Sequence, residues 1–165
     1  MRPVSQTPTE ATDYALLSAT YGALLTGIAL SARGSEPIPR AELPVLAAAT
    51  FTLSKLIVDE KVETWIREPF VEETAEGKRP RGRRLRYAVG ELLSCTRCTG
   101  AWTAVALVGL RLHAPATART VTTVLATSAG NDFFHAGFSW LCARASTQQK
   151  VAEDPKGLAA AREAA

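Results

Sequence analysis

The chain has 165 residues, a formal net charge of +3, and a composition that is 47% hydrophobic. This length fits one domain, and so small a charge does not indicate a nucleic-acid-binding protein. No alternation of polar and apolar residues reaches the length of a strand, so the pattern favours an all-α fold. The three cysteines are an odd number, which argues against a secreted disulfide scaffold. Residues 1–10 lack the apolar core of a secretory signal.

The first half of the chain is predicted to contain two membrane-spanning helices. Residues 1–12 are polar and contain two prolines, so we expect a flexible N-terminal tail. Residues 13–32 carry no charge after Asp13, and a span needs about 20 mainly apolar residues. The second helix begins near Ala41 and is apolar as far as Val58, apart from Lys55.

The second helix is predicted to continue as an amphipathic extension. Its apolar residues recur at helical spacing, and the charged residues between them face away. The apolar residues are Val58, Val62, Trp65 and Ile66. We expect a segment with Trp65, Arg67 and Phe70 to lie along the membrane surface and to end at Pro69. A helix end packed on a soluble core would show the same pattern, and this alternative stays open.

Residues 71–86 are predicted to form a charged loop. Its second half is basic and contains Lys78, Arg79, Arg81, Arg83, Arg84 and Arg86. Basic residues beside a span are retained in the cytoplasm, so we expect this loop and both termini on the cytoplasmic side. The basic residues could also contact anionic lipid head groups, but a topology signal alone is the favoured interpretation.

Two further helices are predicted, at about residues 85–112 and, after Pro115, at about residues 116–145. Only residues 101–110 of the third helix are strictly apolar, which makes it the weakest span. Residues 146–165 have no apolar face and are predicted to be a flexible tail. The expected architecture is an all-α, four-helix membrane bundle formed by residues 13–145.

Cys95 and Cys98 form a CxxC motif in the third predicted helix. At positions i and i+3 they share one helical face with Glu91 and Trp102. Such a pair is typical of a redox couple or of half a metal site. Packing as small apolar side chains is slightly favoured over either role. Because the predicted helix begins before Glu91, the pair is not expected at a helix N-terminus, where the dipole would lower a thiol pKa.

A polar stripe follows the fourth predicted helix. It consists of Ser128, Asn131, Asp132, His135, Ser139 and Cys142. An aspartate inside a bilayer is costly unless it is paired, so we expect Asp132 to face the bundle and to pair with Lys55. The favoured interpretation is a structural polar network of Lys55, Asn131, Asp132 and His135.

The cysteine pair and the polar stripe could also form one metal site. A structural zinc ion takes four ligands, and Cys95, Cys98, Asp132 and His135 would supply that number. Either the protein holds no cofactor or zinc is the candidate ion.

Three parts of the sequence resemble the bacterial family DUF1360. They are the run from Lys55 to Phe70 with the basic loop after it, the block from Gly90 to Trp102, and Asn131-Asp132. The resemblance covers about residues 14–145. It implies a small protein of the bacterial cytoplasmic membrane, and it implies no activity.

Three classes of function remain open. The favoured class is a non-enzymatic membrane interaction or scaffold protein, with membrane lipid and either a protein partner or a second copy as its partners. The alternatives are a membrane thiol-redox or metal-binding protein that uses Cys95 and Cys98, and a soluble helical adaptor. No nucleophile elbow, phosphate-binding glycine loop or zinc-protease helix indicates an enzyme.

Overall fold

The computed structural model describes residues 4–75 and 77–153. These residues are mostly helical, with six α-helices and one two-stranded sheet. The elements are α1 (Ala11–Ser31), α2 (Leu43–Asp59), α3 (Thr64–Arg67), β1 (Val71–Thr74), β2 (Gly77–Pro80), α4 (Leu85–Leu93), α5 (Thr96–His113) and α6 (Pro115–Glu153). Short 3-10 helices lie at Val4–Gln6, Ala32–Gly34, Arg40–Glu42 and Lys61–Glu63. The chain divides into two compact units, Met1–Ala129 and Gly130–Ala165.

Helix α1 starts at a capping box that is tied to the beginning of α4. The backbone N–H of Glu10 donates to the Asp13 carboxylate at 2.8 Å, which satisfies one of the free N–H groups before the helix. Arg84 pairs with both carboxylates, and its Nε lies 3.3 Å from Asp13 Oδ2. The backbone N–H of Arg84 also donates to the carbonyl of Pro8 at 2.8 Å. The segment from Pro8 to Asp13 is therefore anchored.

Two helical stretches among the described residues are long and apolar enough to cross a membrane. They are Ala11–Gly34 and Arg40–Asp59, which agree with the first two predicted spans. The large apolar side chains of α1 are about half exposed, among them Leu16, Leu24 and Leu30. A core helix of a soluble protein would bury such side chains. The complete four-helix membrane bundle stays a prediction.

The core of the first unit lies where α2, α5 and the beginning of α6 meet. Its buried centre consists of Leu46, Ala49 and Leu107, against which Ile38, Leu53, Val121 and Leu125 pack. Gly100 on α5 lies against Ser54 of α2, since a Cβ at this glycine would be in van der Waals contact with Ser54 Oγ at 3.8 Å. Arg111 closes the other end with two hydrogen bonds to Glu42, at 2.5 and 3.0 Å.

The predicted amphipathic extension of helix two is wrong as a continuous helix. Helix α2 ends at Asp59, Glu60 is extended at ψ 141°, and α3 is only four residues long. The cause is Arg67, whose guanidinium donates to the carbonyls of Ile57 at 2.8 Å and Glu60 at 2.9 Å. These carbonyls lie at and just beyond the end of α2, where the helix offers them no partner. The chain therefore turns back across the helix end.

The predicted charged loop contains a β-hairpin, so the all-α prediction is incomplete. Strands β1 and β2 pair antiparallel, with Val71 opposite Pro80. Lys78 fixes the hairpin to the end of α2, since its ammonium donates to the Val58 carbonyl and lies 3.0 Å from the Asp59 carboxylate. Neither strand alternates apolar and polar residues, so the sequence pattern did not indicate them.

The second unit, within the part that the structure describes, is the later portion of α6. Several of its large apolar side chains are exposed; they are Phe133, Phe134, Phe138, Trp140 and Leu141. The guanidinium carbon of Arg144 lies 5.2 Å from the centre of the Trp140 ring, within the range of a cation–π contact. Helix α6 continues to Glu153, eight residues beyond the predicted end of the fourth helix at residue 145.

Candidate dithiol site

The third predicted helix is interrupted at the cysteine motif. Helix α4 ends at Leu93 and α5 begins at Thr96, so the prediction of one continuous helix was wrong here. The Ser94 hydroxyl donates to the Gly90 carbonyl at 2.8 Å, and the Thr99 hydroxyl donates to the Leu92 carbonyl at 2.8 Å. Both bonds satisfy carbonyls that the end of a helix leaves unpaired, and they stabilise the break.

Cys95 is the N-cap residue of α5. Its backbone is extended at φ −123° and ψ 106°, and its sulfur accepts the backbone N–H of Cys98 at 3.3 Å. A helix N-terminus favours the thiolate over the thiol. The expectation that the pair lies away from a helix N-terminus was therefore wrong. Ser94 and Thr96 are residues typical of helix starts, and this signal could have located the break.

The two thiols differ in acidity. The hydrogen bond with Cys98 lowers the pKa of Cys95, and the nearby backbone N–H groups and the charge of Arg97 act in the same direction. Burial raises the pKa of Cys98 to about 11, assisted by its hydrogen bond with Cys95 and by the charges of Cys95 and Glu91. Both side chains are free thiols and partly exposed. Cys95 is thus the better nucleophile near neutral pH.

Both thiols border a cavity of about 430 Å³. Its walls are mostly apolar and come from α1, β2 and α4, through Leu17, Pro80, Ala88 and Leu92. The polar side chains on the lining are Tyr14, Glu91 and Ser94, besides the two thiols. A volume of this size is typical of a small-molecule or side-chain site, so a substrate could reach the sulfurs.

Glu91 is held in place by a residue that the sequence analysis did not single out. The Tyr14 hydroxyl on α1 donates to Glu91 Oε2 at 2.5 Å, and the Thr9 hydroxyl donates to Tyr14 at 3.2 Å. Trp102 borders a neighbouring cavity of about 370 Å³ that also reaches Cys98. The predicted association of Glu91 and Trp102 with the thiols is therefore present, although the face is built from two helices.

The residues of the predicted polar network lie in different units. Lys55 belongs to the first unit, whereas Asn131, Asp132 and His135 belong to the second. Lys55 lies 3.9 Å from the Glu60 carboxylate within the first unit. The network of Lys55 with the α6 side chains stays a prediction.

The predicted zinc site gains no support. Within residues 4–75 and 77–153, no group of three or more His, Cys, Asp or Glu side chains is arranged to hold a metal ion. The dithiol alone supplies two sulfur ligands, which is half of a structural zinc site.

The residues predicted for the membrane surface have different environments. Trp65 is largely exposed and Phe70 is partly buried, and their position at a membrane surface stays a prediction. Arg67 is instead 1% exposed, and its assignment to the surface was wrong. Its guanidinium lies 2.6 Å from the Glu73 carboxylate, besides the two bonds to α2. Its burial and these bonds make Arg67 a structural residue.

The predicted basic residues Arg79, Arg81, Arg83, Arg84 and Arg86 are exposed. Two of them, Arg84 and Arg86, also hold the fold together. Arg84 has a φ of +57°, which residues other than glycine seldom adopt, and it pairs with the capping box of α1. Arg86 Nε donates to the Pro69 carbonyl at 2.8 Å. Part of the basic half is therefore structural as well as a charge signal.

Comparison with known proteins gives a family but no function. The sequence matches the family model described as "Protein of unknown function (DUF1360)" over residues 45–138, which is more than half of the chain. No curated protein and no solved structure matches the chain. The matched range includes Glu91 and both cysteines of the site, whereas Tyr14 lies outside it.

Proposed function

Since the chain belongs to the DUF1360 family, whose description states no function, we propose a function from the site itself: thiol–disulfide exchange through Cys95 and Cys98. The observation that carries this proposal is the position of Cys95 as N-cap of α5, where it accepts the N–H of Cys98 beside an accessible cavity. Two thiols that served only as packing would need neither the cap position nor the opening.

The proposed exchange runs in two steps. The Cys95 thiolate attacks one sulfur of a substrate disulfide, a mixed disulfide forms, and the other substrate sulfur leaves and takes up a proton. Cys98 then loses its proton and attacks the Cys95 sulfur, which releases the second substrate sulfur. The substrate disulfide gains two electrons and becomes a dithiol, while Cys95 and Cys98 become a disulfide. A dithiol reductant resets the pair by the reverse sequence.

We place this site at the cytoplasmic face of a bacterial membrane. Arg84 pairs with the start of α1, and Lys78 pairs with the end of α2, so the basic hairpin region lies at one end of both candidate spans. Basic residues beside a span favour the cytoplasmic side. Tyr14 lies in the first turn of α1 and lines the cavity, which supports a position of the thiols near the boundary between membrane and water.

The exchange is tested with oxidised glutathione in a background of Cys142→Ser, which removes the third thiol. We expect Cys98→Ser to accumulate a stable glutathione adduct on Cys95, because the resolving thiol is missing. We expect Cys95→Ser to react at least tenfold more slowly at pH 7, because Cys98 is only partly exposed and its burial raises its pKa. Intact-mass measurement over time distinguishes the species. Equal rates for the two variants, with no internal disulfide in the parent, would refute the proposal.

A second candidate function is a scaffold formed by two copies of the chain. Phe134, Phe138 and Leu141 are exposed at helical spacing on one face of α6, and contiguous exposed apolar surface commonly marks an interaction site. Cys142 is exposed on the same face. In a Cys95→Ser, Cys98→Ser background, mild oxidation in membranes should therefore join two copies through Cys142, and Phe138→Ser should abolish the product. A chain that stays monomeric under these conditions contradicts this function.

A further inference from the structure

The second step of the exchange needs a proton acceptor. Cys98 must lose its proton before it can attack, and its burial, the main cause of its raised pKa, persists in the mixed disulfide after the charge of Cys95 is gone. Without assistance, only a small minority of the molecules would carry the Cys98 thiolate at pH 7. Formation of the Cys95–Cys98 disulfide would then be slow, so a base beside Cys98 would have a large effect on this step.

Glu91 is the carboxylate among the described residues that line the cavity. It lies on α4, and both thiols border the same space from the start of α5. The other groups that face the site are Tyr14 from α1 and Arg97 from α5, whereas β2 contributes the uncharged Pro80. Arg97 favours the thiolate of each cysteine, and Glu91 disfavours the thiolate of Cys98. Glu91 is therefore the base that the described lining of the cavity offers to Cys98.

The position of Glu91 is fixed from another helix. The hydrogen bond of 2.5 Å from Tyr14 engages Oε2, and this bond crosses from α1 to α4. A carboxylate oxygen can accept more than one hydrogen bond, so the bond from Tyr14 leaves acceptor sites on Glu91 for a thiol or a water molecule. Tyr14 is in turn bonded to Thr9, which belongs to the anchored N-terminal segment.

We propose that Glu91 accepts the Cys98 proton during disulfide formation and that Tyr14 is a positioning residue for the Glu91 carboxylate. The inference rests on the proposed exchange function. As the Cys98 sulfur bonds to the Cys95 sulfur, its proton passes to Glu91 directly or through one water molecule in the cavity. The substrate sulfur leaves Cys95 with the bonding electron pair. Glu91 then releases the proton to the leaving thiolate or to solvent.

The test uses DTNB, an aromatic disulfide whose reduction is followed by absorbance, with the full-length Cys142→Ser chain. Attack by Cys95 releases the first thionitrobenzoate, and attack by Cys98 releases the second, so the two steps are separate phases. In Glu91→Gln we expect the second phase to slow by about 100-fold at pH 7, the low end for general base catalysis. The first phase should stay close to that of the parent, because Glu91 is not among the groups that shift the pKa of Cys95.

Two features distinguish a base from a charge that is merely nearby. A charge effect alone predicts a faster second phase in Glu91→Gln, because removal of the negative charge makes Cys98 more acidic. A base predicts a slower phase. The rate in Glu91→Gln should also rise about tenfold per pH unit, because only free thiolate would attack, whereas the parent should show a shallower dependence. Tyr14→Phe should slow the second phase as well, but by less than Glu91→Gln does.

Glu72→Gln is the matched control, since Glu72 is exposed on β1 and its variant should leave both phases unchanged. A second phase in Glu91→Gln that is unchanged or faster would overturn the role of Glu91 and leave the exchange function intact. If the parent released no second thionitrobenzoate, the exchange function itself would fail. The two failures are thus distinguishable.

Discussion

Arg67 shows how a single side chain decides the path of the backbone. In the sequence it follows an amphipathic repeat, and nothing in that repeat indicates that the arginine turns inward. Its partners are two backbone carbonyls, at and just beyond the end of α2, and the carboxylate of Glu73, which lies on strand β1 of the hairpin. A local pattern cannot reveal a partner that a later element supplies. The burial of Arg67 could therefore not be predicted from the sequence.

Replacement of Arg67 by methionine should strongly destabilise the protein. The carbonyls of Ile57 and Glu60 would lose their donor in a partly buried place, and such losses cost about 3 kcal/mol in total. Arg67→Lys should rescue little, because an ammonium lacks the fork that reaches several acceptors. Thermal unfolding of the detergent-solubilised protein measures the effect. Arg83→Met, at an exposed arginine, is the control; equal stability of the two methionine variants would contradict the structural role of Arg67.

The contact between Arg67 and Glu73 makes the stability of the fold depend on pH. The hydrogen bond from Arg67 lowers the pKa of Glu73, so the folded chain holds this proton less tightly than the unfolded chain. The stabilisation is fully present above the ordinary glutamate pKa of about 4.3 and is lost as the pH falls through the lowered value.

At the scale of elements, long apolar runs were predictable and short interruptions were not. Helices α1 and α2 and the beginning of α6 lie close to their predicted positions, because each is a long apolar run next to Pro or Gly. The hairpin and the break at Cys95 were missed, since each involves only a few residues. The proximity of Cys95 and Cys98 was predictable from their spacing. The role of Tyr14 was not predictable, because its contact with Glu91 spans 77 positions in the sequence.

Gly90 tests the packing of α4 on the hairpin. A Cβ at this position would lie 2.4 Å from the Phe70 carbonyl oxygen and 3.0 Å from Pro80 Cβ. The first neighbour is backbone and cannot move aside, so Gly90→Ala should destabilise by about 1–3 kcal/mol. Gly22→Ala in α1 is the control, because its added Cβ meets no atom within 4 Å. A Gly90→Ala protein that unfolds at the parent temperature would show that α4 does not pack in this way.

At the scale of the whole molecule, the dithiol is joined to the two candidate membrane helices by direct contacts. Tyr14 of α1 bonds to Glu91 in the site, and Gly100 of α5 approaches Ser54 of α2. The thiols therefore stand on helices that pack within the same unit as both candidate spans. This arrangement supports the proposed redox site at a membrane boundary, provided that the two cysteines form one redox couple.

The most direct test is an equilibrium redox titration of the full-length Cys142→Ser protein in detergent, in buffers of defined glutathione potential. The state of the thiols is read from the mass added by a maleimide after quenching. We predict one two-electron transition in which both thiols disappear together, between about −120 and −270 mV, as in other exchange proteins. Thiols that stay free across this range, or that yield only glutathione adducts, would contradict the account.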